Sequence, residues 1–177
     1  VIKSVQEGIA ARKDIHDIYD QVGECIRDLF DAQVAAICTF DLKNRMEHFQ
    51  YSFEDGKRIF PESRPIDKIR GHLIDTKGLL LINTNADKEI EKITGMPHVA
   101  VPGTKLPKSL LYVPLVIGHE VIGYVTLQNL DREDAFPDAD VELLESLANS
   151  LSIALENARL FNESEQRSAE LSVINSV

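Results

Sequence analysis

The sequence contains no tryptophan and has only 2 cysteines and 2 methionines among its 177 residues. Cys25 and Cys38 form no C-x-x-C pair and have no histidine cluster beside them, so we predict no metal site. Two unpaired thiols are typical of a reducing compartment, and we expect a cytoplasmic location. A long apolar run and a charged-then-apolar leader are also lacking, so the sequence predicts neither a membrane span nor a signal peptide.

Basic residues are scarce compared with acidic ones, because 19 Lys and Arg stand against 29 Asp and Glu, and the formal net charge is −10. Binding to phosphate backbones needs clustered cations, which argues against nucleic acid as a partner. Small molecules and other proteins remain. The 44% of hydrophobic and 27% of charged residues are typical of a globular domain with a buried core. The first residue is a valine, so we expect a segment of a longer protein.

The N-terminal half predicts helices followed by a hairpin. Residues 1–9 have helical periodicity, and Asp14 is placed to cap a second helix. Apolar residues then recur on one face of that helix: Ile15, Ile18, Val22, Ile26 and Leu29. Residues 34–40 and 48–53 predict two strands joined by turn residues 41–44.

Shorter elements and a second hairpin follow. We predict a short helix at 66–73, a strand at 79–82, a short helix at 89–94, and a loop at 95–108 that holds two Gly and three Pro. Residues 110–117 and 121–128 predict two strands around the turn Gly118-His119-Glu120. From Asp138 onward about 40 residues lack Gly and Pro, which predicts a helix on the order of 60 Å long, part of which must pack on something else. This order predicts an α+β fold, a mostly antiparallel sheet with long terminal helices on one face.

Several motifs of the C-terminal half together resemble the GAF domain family. They are Ser109-Leu-Leu-Tyr-Val-Pro-Leu115, Gly118-x-x-Val-Ile-Gly-x-Val-x-Leu127, Phe136-x-x-x-Asp140, Leu143-Leu-x-x-Leu-Ala148 and Ala154-Leu-Glu-Asn-Ala-Arg-Leu160. The resemblance implies a six-stranded antiparallel sheet and a regulatory sensor module rather than an enzyme. It also implies a small-molecule pocket on the sheet face opposite the terminal helices. We divide the chain into N-terminal helices (1–30), a GAF core (31–162) and a linker helix (163–177).

Strand pleating assigns side chains to the two faces of this sheet. If Leu111, Val113, Leu115, Val125 and Leu127 face the terminal helices, their neighbours point toward the pocket. We expect Gly123 to let its strand pass close to the packed helix. The pocket candidates are Cys38, Phe40, Tyr51, Leu73, Asn83, His98, Tyr112, Tyr124, Thr126 and Gln128, with Leu73 and Asn83 as a lid and His98 on the loop. An equally weighted alternative is that these side chains fill the space as a second core.

Three more specific functions known in the GAF family are supported less well by the sequence than a general sensor role. The cyclic-nucleotide pattern matches at Asn129, Phe136 and Asp140, but Leu130 replaces its Lys and Val141 its Glu, and we expect Phe136 and Asp140 to seat and cap the long helix instead. Neither cysteine is followed by the histidine typical of bilin attachment. A free methionine sulfoxide reductase would need reactive cysteines in the 95–108 loop, which has none. We therefore predict no enzyme and no catalytic residue, and we name no cofactor.

The partners follow from the terminal helices. The apolar stripes of 1–30 and 144–161 exceed what the sheet can cover, which predicts a homodimer through these helices. An output domain in the same polypeptide, such as a histidine kinase or nucleotide cyclase, would receive the signal. The alternative class is a structural dimerisation spacer with a filled pocket. The segments Val1-Ile-Lys-Ser-Val5 and Val173-Ile-Asn-Ser-Val177 agree at four of five positions, which predicts that a second GAF repeat follows.

Overall fold

The computed structural model describes residues 14–97 and 105–176. The predicted helix at 1–9 and residue His98 lie outside these ranges. The elements in chain order are α1 (Ile15–Leu29), β1 (Val34–Asp41), β2 (Met46–Glu54), β3 (Lys57–Arg58), β4 (Arg64–Pro65), α2 (Lys68–Thr76), β5 (Leu80–Ile82), α3 (Ala86–Thr94), β6 (Ser109–Ile117), β7 (Glu120–Asn129) and α4 (Asp138–Asn175). In these ranges no helix is both long enough and apolar enough to cross a membrane.

The strands form one sheet in the order β3-β2-β1-β7-β6-β5, with the two-residue β4 on β2. Every pair is antiparallel. Both predicted hairpins, β1 with β2 and β6 with β7, are confirmed, as is the α+β fold with its antiparallel sheet. The pairing of β1 with β7 brings the two hairpins together in the centre of the sheet.

Helices α1 and α4 cover one side of the sheet, which we call the helix face. Helix α1 begins after Asp14, whose side chain accepts a hydrogen bond from the His16 amide at 2.8 Å, as the capping prediction requires. The apolar residues of both helices pack on the strand residues predicted to face them: Leu111, Val113, Leu115, Val125 and Leu127. This main core includes Ile18, Val22 and Ile26 from α1, while Leu29 at the end of the helix is exposed.

The opposite side of the sheet, which we call the cavity face, carries a second and smaller apolar cluster. Helices α2 and α3 supply Ile69, Leu73 and Ile90 to it. Tyr112 and Tyr124 project from the sheet into the same cluster, as the predicted alternation of faces requires. The short helices therefore roof this face and leave room for a cavity.

Gly123 makes a close backbone approach, but to a different neighbour from the one predicted. A Cβ added there would lie 2.1 Å from the carbonyl oxygen of Cys38 and 2.9 Å from the Cα of Thr39. Both atoms belong to β1, which pairs with β7 at this point, so the prediction that Gly123 accommodates the packed helix is wrong. The glycine instead lets the two hairpins pair at their junction.

Helix α4 begins at Asp138, and Phe136 is 1% exposed in the main core just before it, which confirms the predicted seat. The predicted cap by Asp140 is wrong, because Pro137 occupies the N-cap and no side chain caps the helix. Asp138 and Asp140 lie in the first turn, where the positive end of the helix dipole favours acidic residues.

Candidate ligand-binding cavity

A cavity of about 450 Å³ lies on the cavity face, between the sheet and the segments around α2 and α3. Its floor crosses the sheet along one row of paired residues, in which Ala36 pairs with Ser52 on β2 and with Thr126 on β7, and Thr126 pairs with Tyr112 on β6. Three of these four side chains are small, so they leave space between the floor and the roof at this point. The volume falls within the range of about 300–1,000 Å³ that is typical of small-molecule sites.

A buried ionic cluster forms one end of the cavity and centres on Glu47 of β2, whose side chain is fully buried. Its Oε1 accepts hydrogen bonds from the Tyr124 hydroxyl at 2.5 Å and from Nη2 of Arg64 at 3.1 Å. Its Oε2 lies 3.2 Å from Nε of Arg70. A carboxylate removed from water must be paired, and two guanidinium groups lie within ion-pair distance of it here, while Oε2 accepts no hydrogen bond among the described residues.

Arg70 is held in place from several directions. Its Nε donates to the Tyr124 hydroxyl at 3.2 Å, and its Nη1 donates to Asp67 at 2.9 Å. Asp67 is also the N-cap of α2 and accepts from the Arg70 amide at 3.0 Å. The guanidinium lies 5.4 Å from the ring centroids of both Tyr112 and Tyr124, within reach of cation–π attraction. The cavity therefore presents a fixed cation.

Tyr124 links this cluster to the sheet. Burial raises the pKa of its hydroxyl well above the usual value, so it stays protonated and serves as the donor to Glu47. Its ring packs against those of Phe40 and Tyr112, with centroids 5.6 and 5.5 Å away. The packing of these rings thus fixes the Tyr124 hydroxyl in its position between Glu47 and Arg70.

A β-bulge in β2 decides which residues reach the cavity. Ile37 pairs with Tyr51 but the next residue, Cys38, pairs with Phe49, so Gln50 is the extra residue. Tyr51 consequently lies on the helix face, where its hydroxyl donates to Glu24 of α1 at 3.0 Å. The prediction that Tyr51 lines the pocket is wrong for this reason. Phe49 and Glu47, which regular alternation would place on the same face as Tyr51, belong to the cavity face instead.

The other predicted pocket residues divide into three groups. Tyr112, Tyr124, Thr126 and Gln128 line the cavity. Cys38, Phe40 and Leu73 belong to the apolar cluster beneath and beside it. Asn83 and His98 belong to neither group, since the Asn83 side chain bonds the backbone of Phe136 and His98 lies outside the described residues. Ligand binding by any of them stays a prediction.

Asn83 fastens the segment before α4 and is not part of a lid. Its Nδ2 donates to the Phe136 carbonyl at 2.7 Å, and its Oδ1 accepts from the Phe136 amide at 3.3 Å. Its own carbonyl accepts from the Ser109 hydroxyl and from the Asp134 amide. The side chain therefore replaces a backbone partner for a stretch that lacks regular structure.

Sequence reasoning missed Glu47, Arg64 and Arg70. Glu47 lies between Met46 and His48, just before the predicted strand at 48–53, so nothing marked it as buried. Arg70 carried one usable signal, since Asp67 stands three residues before it at a predicted helix start, where capping brings the two together.

Thr126 is a polar side chain without a partner on the cavity floor. The residue is 3% exposed, and its Oγ1 makes no hydrogen bond in the described part of the chain. Buried hydroxyl groups normally find a partner, so this atom is suited to a ligand or a water molecule. Cys38 offers no reactive group nearby, because burial raises the pKa of its thiol to about 12.

Two other features of the described residues bear on where a ligand can bind. A depression of about 630 Å³ lies where α3 begins, but exposed residues such as Asp87, Lys88 and Glu133 make up most of its lining. Among residues 14–97 and 105–176, no group of three or more His, Cys, Asp or Glu could hold a metal ion. The cavity of about 450 Å³ on the cavity face, with its buried polar groups, is therefore the candidate site.

Comparison with known proteins gives one family match and several relatives. Residues 12–156 match the GAF domain family. The chain is 22% identical over 167 residues to the formate hydrogenlyase transcriptional activator of Salmonella typhimurium, covering 92% of this chain and 24% of the relative. It thus spans about a quarter of the length of that curated relative.

Solved structures with the same fold include residues 122 to 287 of a methyl-accepting chemotaxis protein, with a TM-score of 0.70 and 17% sequence identity. The match covers 89% of this chain and 98% of that structure. Free methionine-R-sulfoxide reductase from Neisseria meningitidis, solved with its substrate, has a TM-score of 0.69, 16% identity and coverage of 90% and 89%. At this identity the likeness concerns the fold alone.

Proposed function

The chain belongs to the GAF domain family, and from this premise we propose that it is the small-molecule-sensing module of a cytoplasmic signal-transduction protein. A ligand in the cavity would bias the packing of the terminal helices, which pass the change to an output domain in the same polypeptide. A histidine kinase or a nucleotide cyclase would serve as that output. Because the Salmonella relative is a transcriptional activator, a transcription-activating domain is a further candidate.

The observation that carries this proposal is a cavity of about 450 Å³ whose walls hold an unpartnered Thr126 hydroxyl and the charged groups of Arg64 and Arg70. A spacer domain would fill this space with its own apolar side chains, because close packing is the lower-energy arrangement for a site with no ligand. In this chain the side chains of Ala36 and Ser52 on the floor are too small to fill the cavity.

We propose further that the domain has no enzymatic activity. The likeness to a methionine sulfoxide reductase raises the alternative, which would require an accessible thiolate at the cavity. Cys38 is fully buried with its pKa raised to about 12, and Cys25 packs on the helix face. Neither thiol is suited to attack a bound sulfoxide.

Cyclic-nucleotide binding is the less favoured ligand class. The side chain of Asn129 bonds the Asp31 carbonyl and the amides of Asp131 and Arg132, so it holds a turn. Phe136 is buried in the main core. Asn129 and Phe136, two of the three residues that match the nucleotide pattern, therefore have structural roles.

Freshly purified protein is expected to retain or bind a small molecule in this cavity. Native mass spectrometry should detect a mass above that of the chain, or a metabolite panel should raise the melting temperature, since a ligand at 100 times its Kd adds about 2.7 kcal/mol of stability. The matched control is Ala36→Leu, which fills the floor of the cavity. If the wild type neither retains nor binds any compound, the spacer function replaces this one.

We also propose that the chain forms a homodimer through α4. On the side turned away from the sheet, and further along its length, this helix exposes apolar residues at heptad spacing, with Ile153, Leu160 and Ile174 at seven-residue intervals interrupted by Arg167. Ile153 is 64% and Ile174 69% exposed, which is costly for side chains of this size unless a second helix covers them. A parallel coiled coil would also give the signal a continuous path.

Replacing Leu160 by Glu is expected to convert the dimer into a monomer, because it places a charge in the middle of the apolar stripe on each of the two helices. Light scattering over a concentration series measures the change, with Asn162→Glu on the same exposed turn as the control. A wild-type protein that remains monomeric at millimolar concentration would contradict the dimer.

A further inference from the structure

We propose that the cavity binds a small organic carboxylate, with its carboxylate group between Arg64 and Arg70 and its apolar part on the floor around Ala36. This inference rests on the proposed sensing function and adds the chemical class of the ligand. It comes from the charge balance, the rigidity and the unpartnered groups of the cavity.

The charges at the end of the cavity around Glu47 are unequal. Two guanidinium groups, those of Arg64 and Arg70, share one fully buried carboxylate, that of Glu47. Asp67 pairs with Arg70 but is 49% exposed, so solvent screens part of its charge. A ligand carboxylate would supply the second buried negative charge, which is notable in a chain with a net charge of −10.

The two arginines differ in how they would bind a ligand carboxylate. Arg70 is 8% exposed and fixed by Tyr124 and Asp67, so little side-chain entropy is lost when it meets a ligand. Arg64 is 47% exposed and lies 5.0 Å from the centroid of the Phe49 ring at the rim. Among the described residues, Glu47 is the one carboxylate that pairs with Arg64, which leaves this guanidinium able to bind a second one.

The remainder of the cavity specifies a short apolar body with one further polar atom. Ala36, Ile69 and Leu110 line it with apolar surface. The unpartnered Oγ1 of Thr126 lies on the floor and can donate to or accept from the ligand. Glu54 also lines the cavity, so an α-amino acid as well as a simple acid satisfies the chemistry.

Isothermal titration of the wild-type chain with matched probes tests the class. The probes are sodium 4-methylpentanoate, L-leucine, sodium benzoate and the neutral amide 4-methylpentanamide. At least one carboxylate should bind, and the amide should bind about tenfold or more weakly than its acid, because it cannot accept charge-assisted bonds from two guanidinium groups. Comparison of 4-methylpentanoate with L-leucine distinguishes a simple acid from an amino acid.

Variants locate the site. Arg64→Gln should weaken binding of the carboxylate about tenfold or more while the protein stays folded, because Arg70 and Tyr124 still contact Glu47 in this variant. Thr126→Val, which keeps the shape and removes the hydroxyl, should weaken binding by a smaller factor. Arg159→Gln, on the exposed part of α4, is the matched control and should change nothing.

Two results would overturn the carboxylate class. One is equal affinity for the acid and the amide, and the other is unchanged carboxylate affinity in Arg64→Gln. If no carboxylate binds but the purified protein releases a neutral or cationic compound, the class is wrong and the sensing function stands. If nothing binds and nothing is retained, both proposals fail.

Discussion

Replacing Glu47 by glutamine is expected to lower the free energy of unfolding by about 3–5 kcal/mol, the usual cost of removing one partner from a buried ion pair. The carboxylate is fully buried and bonds Tyr124 and Arg64, with Arg70 3.2 Å away. Glutamine keeps the shape but removes the negative charge, so two guanidinium groups would face each other at the end of the cavity. Repulsion between them would loosen α2 and β4 together.

Urea unfolding followed by circular dichroism measures this loss. The control is Glu120→Gln at the exposed start of β7, which removes one negative charge from the same sheet without touching a buried pair. A loss below about 1 kcal/mol for Glu47→Gln, a value usual for exposed pairs, would mean that the cluster is solvated in solution. Pairing Glu47→Gln with Arg64→Gln in a double-mutant cycle gives the coupling between the two residues.

Replacing Gly123 by alanine is expected to cost about 3 kcal/mol or more, at the upper end of overpacking effects. The new Cβ would lie 2.1 Å from the Cys38 carbonyl oxygen and 3.0 Å from its carbonyl carbon. Both are backbone atoms of the paired strand β1, so no side chain can rotate away and the two strands must separate. The break would fall where the two hairpins join.

Gly71→Ala is the matched control, because its Cβ would meet nothing within 4 Å and the residue lies inside helix α2. Alanine in a helix interior is favoured over glycine by about 1 kcal/mol, so this variant should become more stable. Thermal and urea unfolding of both variants give opposite signs if the close approach is the cause. A Gly123→Ala protein as stable as the wild type would contradict the β1–β7 geometry.

Much of the fold was accessible from local pattern. The alternation of residues 111–115 and 125–127 correctly assigned their side chains to the helix face, because two regular strands around a tight turn leave the register little freedom. Asp14 correctly marked the start of α1 for an equally local reason, since its side chain bonds the amide two residues later.

The candidate site was accessible only in part. Tyr112, Tyr124, Thr126 and Gln128 follow from the same alternation and do line the cavity. The structural role of Asn83 could not be predicted in this way, because its partner Phe136 is 53 residues away and no local rule connects the two residues. The approach of Gly123 to β1 depends in the same way on the pairing of two separate hairpins.

The sequence by itself determined the antiparallel α+β fold, the hairpins and the apolar face of each terminal helix, because these depend on side-chain periods of 2 and 3.6 residues along short stretches. Only the tertiary structure decided the chemistry of the cavity. One extra residue in β2, Gln50, turns Tyr51 toward the helices and Glu47 toward Arg64 and Arg70. Regular alternation cannot foresee such a bulge, because the bulge is set by how β2 pairs with β1 across the sheet.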